Sequence, residues 1–188
     1  MIRIALVGEI ASGKTFIARC FRLPTFNADI EVKKIYKNNK RCFKKLNKIF
    51  PNNIKHYPIR KSEIKEILNK KNIKILSKIV HPYVRLNLKK FERKNRKKKL
   101  IVLDIPLLIE NKLYKKSDLL IGIKTSKKVI IKRLKERGNY NKNILNILRA
   151  QQINIKKKLK LCDFIIENNS NKNNILKQIK IIKNKFND

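Results

Sequence analysis

The sequence predicts a three-layer α/β/α domain built on a mostly parallel β-sheet. Three observations carry this. Short continuous apolar runs at 2–7, 100–105 and 119–123 have the character of strands buried on both faces. Segments with helical spacing alternate with them, the pattern of helices packed on a parallel sheet. The first run leads directly into Gly8-Glu9-Ile10-Ala11-Ser12-Gly13-Lys14-Thr15, a glycine-bounded turn that opens a helix.

Taken in order, 2–7 is the first buried strand and 15–22 the first helix. Pro24-Thr25-Phe26-Asn27 predicts a short second strand, with Asp29 where the next helix would begin. Residues 31–50 carry helical spacing with basic faces, broken by Pro51 and the asparagines after it. A helix starts near Ser62. Two further helical runs, 72–80 and 84–93, are expected to be separated by His81-Pro82. The basic run 93–99 reads as a solvated helix end and loop. Strands follow at 100–105, ended by Pro106, and at 119–123. Helices are expected at 126–137 and 141–152, a last strand at 164–166 and a last helix at 172–186. In that helix Ile175, Ile179 and Ile182 keep the spacing of one face.

The turn at residues 8–15 has the pattern G-x-x-x-x-G-K-[ST] in a strand-loop-helix setting, which is the phosphate-binding loop. Backbone N–H groups must converge on phosphate oxygens, so the chain turns sharply and comes close to the ligand; glycine permits both. Lys14 would reach the outer phosphates of a nucleoside triphosphate, and the Thr15 hydroxyl would hold Mg²⁺. The chain has only four glycines in 188 residues, which makes two in this stretch informative.

Composition narrows the classes. Apolar residues make up 42%, enough for a core, with no run long enough to span a membrane. Nothing at the N-terminus has the form of a secretory signal. Cys20, Cys42 and Cys162 match no zinc or disulfide spacing, so reduced thiols and a cytoplasmic location are expected. The net charge of +37 is almost all lysine, spread along the chain beside abundant Asn and Ile. A genome drifting toward A and T produces that composition without selection for polyanions, so no specific nucleic-acid partner is expected.

Several residues could carry chemistry. Asp104 ends a buried strand, either beside Mg²⁺ or as a capping carboxylate. Asp29 could accept a proton from an acceptor hydroxyl or cap a helix. Arg133 and Arg137 share a helix face, as phosphate ligands or as part of a solvated basic surface. Arg149 could be a third such arginine. His81, with Arg85, could be a ligand contact or a structural histidine.

Together these stretches resemble the dephospho-coenzyme A kinase family. The phosphate loop is followed by Asn27-Ala28-Asp29, His81-Pro82-Tyr83-Val84-Arg85 and Asp104-Ile105-Pro106-Leu107-Leu108-Ile109-Glu110. Then come Arg133-Leu134-Lys135-Glu136-Arg137, Ala150-Gln151-Gln152 and Cys162-Asp163-Phe164-Ile165-Ile166-Glu167-Asn168. The resemblance covers about residues 2–168 in the family's order. It implies a P-loop kinase fold that transfers the γ-phosphoryl group of ATP to the 3′-hydroxyl of dephospho-coenzyme A, with Mg²⁺. A monomer with no membrane and no specific nucleic-acid partner is expected.

By the same resemblance, Ala11, Ser12, Gly13, Lys14, Thr15 and Phe16 line the nucleotide site, with Asn168 near the adenine. Asp29 is the base, and Lys14 and Arg137 act in catalysis. Arg133, Arg137 and Arg149 belong to a lid at about 134–158 and its approach. His81, Arg85, Asp104, Leu107 and Glu110 border the acceptor. The core would comprise 1–29, 100–133 and 160–188, with a helical acceptor-binding insertion at about 30–95. The chain departs from the family pattern at Asn27, where an aspartate is usual, at Glu9 and Ala11, usually glycines, at Phe16, usually threonine, and at Cys162, usually alanine. Two other readings stand beside this one: a different small P-loop kinase, or a basic nucleic-acid-binding protein with a vestigial loop.

Overall fold

The computed structural model describes residues 1–136, 142–169 and 171–186. In chain order the elements are β1 (Ile2–Gly8), α1 (Lys14–Cys20), β2 (Thr25–Asn27), α2 (Ala28–Asn38), α3 (Lys40–Ile49), α4 (Lys61–Glu66) and α5 (Asn72–Lys94). They continue as β3 (Leu100–Asp104), β4 (Leu119–Lys124), α6 (Lys127–Glu136), α7 (Lys142–Ala150), α8 (Ile155–Leu159), β5 (Phe164–Glu167) and α9 (Lys172–Asn184). The chain forms two compact units, one of residues 1–27 and 95–188, the other of residues 28–94. No helix among the described residues is long and apolar enough to cross a membrane.

The first unit holds a five-stranded, all-parallel sheet in the order β2-β3-β1-β4-β5. From β1 the chain builds outward to β2 and β3 on one side, then crosses to β4 and β5 on the other. The carboxyl end of β1 therefore lies at the reversal of strand order, where open parallel sheets form their ligand crevice. One face of the sheet, with Ile4, Leu6, Val102, Ile121 and Ile123, packs against Ile17, Ala18 and Phe21 of the α1 segment and Ile175, Ile179 and Ile182 of α9. The isoleucine spacing read from the sequence is thus the buried face of α9.

α8 covers the other side of β1 and β4. The sequence reading did not find this helix, whose Ile-Lys-Lys-Lys-Leu is too short and too basic to show a periodicity. Asn154 caps it by accepting a hydrogen bond from the Lys156 N–H at 2.8 Å. Close approach of α8 depends on Gly122 in β4. A Cβ there would come within 2.5 Å of Leu159 Cδ2 and 3.2 Å of Cys162 Sγ.

The second unit is helical. The expected helix over 31–50 is two helices, because Asn39 ends one and starts the next. Its N–H bonds to the Ile35 carbonyl at 2.9 Å, while its side chain accepts from the Cys42 N–H at 2.9 Å. The expected break at His81-Pro82 does not occur: α5 runs through Pro82. Ile73, Leu76, Val80, Val84 and Leu88 form one continuous buried stripe, and that packing outweighs the single backbone hydrogen bond lost at the exposed proline. Asp29 lies inside the first turn of α2, not at its cap.

Glu63 organises the loop between α3 and α4. Its buried carboxylate accepts from the N–H groups of Lys55 (2.8 Å), His56 (3.0 Å) and Arg60 (2.8 Å), and contacts His56 Nδ1 at 2.9 Å. Burial pushes the carboxyl pKa up, but the Arg60 N–H, the His56 ring and the Lys55 and His56 N–H groups together pull it down to about 2, against an ordinary 4.5. A depressed carboxylate stabilises the folded state above its unfolded pKa, and that contribution is lost as pH falls through the folded value. The melting temperature should therefore fall more steeply from pH 4.5 toward 2 in the parent than in Glu63→Gln. Equal slopes would remove Glu63 as the cause.

Candidate phosphate-binding site

The loop between β1 and α1 is shaped by two left-handed residues. Gly13, at the N-cap of α1, has φ 93° and ψ 22°, a region that suits glycine. A Cβ on Gly13 would also lie 2.2 Å from Asn168 Nδ2. Ala11, with φ 63°, is the unusual one. A non-glycine residue in this region costs about 1–2 kcal/mol. The Ala11 methyl is compensated by burial in a cluster with Ile130 and Leu134 of α6 and Leu145 of α7. The departure from the family's glycine is thus packed against the helices that follow β4.

Lys14 is buried and folds back over the loop, donating from Nζ to the Gly8 carbonyl at 3.0 Å and the Glu9 carbonyl at 2.8 Å. Beside it, Thr15 Oγ1 donates to Asp104 Oδ2 at 2.6 Å. Asn27 Nδ2 donates to the same oxygen at 2.6 Å. β2 and β3 pair in register at Asn27 and Asp104, so the sheet itself places the amide beside the carboxylate. Asp104 is only 3% exposed, and these two donors offset its desolvation.

The hydroxyl and carboxylate are hard oxygen donors, which fits Mg²⁺. Among the described residues no cluster of three or more His, Cys, Asp or Glu could hold a metal. The donor set therefore suits an ion bound through one or two protein oxygens and completed by substrate phosphates and water, as Mg²⁺ commonly is.

On the other side of the loop, the Ser12 carbonyl accepts from Asn168 Nδ2 at 2.7 Å and Arg133 NH1 at 3.2 Å. Arg133 NH2 also reaches Asn168 Oδ1 at 3.1 Å. Sequence reasoning placed these two residues near adenine and phosphates; the structure joins both to the loop backbone. Ser12 Oγ is buried without a hydrogen-bond partner among the described residues. Phe16 is 41% exposed on α1.

The remaining residues lie further out. Glu110, after β3, pairs with Lys158 of α8 at 2.6 Å, and its Oε1 accepts from the Ile153 N–H at 3.1 Å. Its Oε2 is buried without a partner among the described residues. Lys158 was missed from the sequence because it sits in a run of lysines. Leu107 is half-buried, and Arg149 is exposed in the last turn of α7. Arg137 lies outside the described residues.

In the helical unit, Asp29 is exposed in the first turn of α2, and Glu31 in that turn accepts from Asn87 Nδ2 of α5 at 2.9 Å. His81 and Arg85 are one turn apart on α5. Burial, then the Arg85 charge, pushes the His81 pKa down, favouring the neutral imidazole.

The family model described as dephospho-CoA kinase matches residues 2–174. A dephospho-CoA kinase of Wolbachia pipientis wMel is 34% identical over 98% of this chain and 97% of its own length. That of Bartonella henselae is 32% identical over 94% and 93%. A solved dephospho-CoA kinase from Campylobacter jejuni superposes with a TM-score of 0.66 at 25% identity, covering 98% of this chain and 96% of that one. Shikimate kinase from Acinetobacter baumannii, at 16% identity and a TM-score of 0.55, shares the fold.

Proposed function

Because the chain belongs to the dephospho-CoA kinase family and is therefore an ATP-using kinase, we propose that it phosphorylates the 3′-hydroxyl of dephospho-coenzyme A, the last step of coenzyme A synthesis. The observation that carries this reading is the convergence of Lys14, Thr15 and Asp104 at the carboxyl ends of β1 and β3.

The loop backbone at Ala11, Ser12 and Gly13 cradles the ATP phosphates, with Phe16 following on α1. Lys14 exchanges its contacts to the Gly8 and Glu9 carbonyls for phosphate oxygens. Thr15, with Asp104 beside it, holds Mg²⁺, which when bound neutralises phosphate charge. Asp29 takes the proton of the acceptor hydroxyl as that oxygen attacks the γ-phosphorus and ADP departs. Asn27 cannot serve, since an amide does not take up a proton at neutral pH. Arg133, Arg137 and Arg149 stabilise the charge spread over the transferring group. Asn168 flanks the adenine.

His81, Arg85, Asp104, Leu107 and Glu110 border the acceptor. Closure over both substrates excludes water, so that the acceptor hydroxyl outcompetes hydrolysis. We read the enzyme as cytoplasmic, in keeping with three free thiols, and as a monomer, since a net charge of +37 repels like copies.

The test is ADP release from ATP and Mg²⁺ with and without dephospho-coenzyme A, with mass detection of the acceptor. The expected result is acceptor-dependent ADP and a product heavier by one phosphate. ATP binding without that product would assign a different acceptor.

A further inference from the structure

The Ser12 carbonyl accepts from a third side chain. Thr125 Oγ1 donates to it at 3.0 Å, beside Asn168 Nδ2 at 2.7 Å and Arg133 NH1 at 3.2 Å. A carbonyl oxygen has two lone pairs, so three donors are one more than it needs. Two of the three are fixed to the sheet. Thr125 directly follows β4 and Asn168 directly follows β5, and these strand ends are tied together. The Asn168 N–H bonds to the Lys124 carbonyl at 2.9 Å, and the Ser126 N–H to Asn169 Oδ1 at 3.0 Å. Arg133 reaches the same oxygen from α6 on a long side chain.

We propose that Thr125 is a positioning residue for the phosphate loop. Together with Asn168 it holds the Ser12 carbonyl in place, so that the Arg133 guanidinium can leave that oxygen for the phosphates of ATP. The inference deepens the phosphate-loop reading above and rests on it. The cis peptide among the described residues is Tyr57–Pro58, so the Ser12–Gly13 peptide is trans. In a trans peptide the carbonyl and the next N–H point in opposite directions. A carbonyl pinned toward β4 and β5 therefore turns the Gly13 N–H away from them. The loop has little reserve of its own at Ala11, whose left-handed conformation persists only when the surroundings enforce it. Without the Thr125 hydroxyl, Arg133 must stay on the carbonyl or the loop must loosen. Either outcome weakens phosphate binding and leaves recognition of the nucleoside alone.

The experiment is calorimetric titration of the full-length protein with ATP and, separately, with adenosine. The proteins compared are the parent, Thr125→Val, Thr125→Ser and Lys14→Ala. Thr125→Val removes the donor at nearly constant shape. It should weaken ATP about three- to tenfold, the scale of one such hydrogen bond, and leave adenosine unchanged. Thr125→Ser should restore ATP affinity. In turnover the loss should appear as a raised KM for ATP with kcat at saturation little altered. Parent-like ATP binding by Thr125→Val, with binding lost in Lys14→Ala, would overturn the role of Thr125 alone. Equal weakening of adenosine, or no recovery in Thr125→Ser, would also overturn it by showing a general packing defect. Unchanged ATP binding in Lys14→Ala would instead overturn the phosphate-loop reading, and this inference with it.

Discussion

Asp29→Asn should lower kcat by about 10²–10⁴ while ATP affinity stays close to that of the parent. The substitution keeps the size and polarity of the side chain and removes its ability to take a proton. Two other groups near the end of β2 and β3 could be considered for the same role, and the structure engages both. Asn27 is an amide that donates to Asp104 at 2.6 Å. Asp104 is buried, and its Oδ2 accepts from both Thr15 and Asn27. Asp29, exposed in the first turn of α2, is the carboxylate we propose as the base. Single-turnover kinetics with saturating ATP and dephospho-coenzyme A would measure the effect on the chemical step. A near-parental rate would take the base away from Asp29 and make Asp104 the next carboxylate to test.

The second large effect concerns stability. Arg3 in β1 is 5% exposed and Asp118, just before β4, is 8% exposed. Arg3 Nε donates to Asp118 Oδ1 at 2.6 Å, and a second guanidinium nitrogen pairs with Oδ2. Asp118 Oδ2 also accepts from the Lys115 N–H at 2.8 Å. Removing one partner of such a pair leaves the other buried with its charge uncompensated. Arg3→Met or Asp118→Leu should each cost about 3–5 kcal/mol in denaturant unfolding. The double variant should be clearly less destabilised than the sum of the two, because no charge is then left buried. Additive losses would show that the residues contribute by packing and not as a pair. The amino ends of β1 and β4 lie at the opposite edge of the sheet from the phosphate loop. Folded Arg3 and Asp118 variants should therefore keep the parental KM for ATP.

Much of the fold was legible in the sequence because the pattern that specifies it is local. A parallel strand buried on both faces must be apolar throughout, so β1, β3 and β4 show as continuous runs. The buried face of α9 shows as isoleucines at helical spacing. The phosphate loop is legible for the same reason, since its backbone path and its lysine are encoded within eight consecutive residues.

What the sequence left open depends on neighbours distant along the chain. Pro82 predicts a break locally, and only the buried stripe on both sides of it keeps α5 whole. Lys158 is one of many lysines until Glu110 is seen 2.6 Å away. Arg3 and Asp118 are 115 residues apart, and Thr125 and Ser12 are 113 apart. No local periodicity encodes such pairs. By itself, then, the sequence determined the order of the five strands, the phosphate loop and the family resemblance. The tertiary structure alone decided which of 50 basic side chains are buried in ion pairs and which hydroxyl bonds to the loop backbone. Desolvation makes a charge or a polar group consequential only once packing has removed it from water.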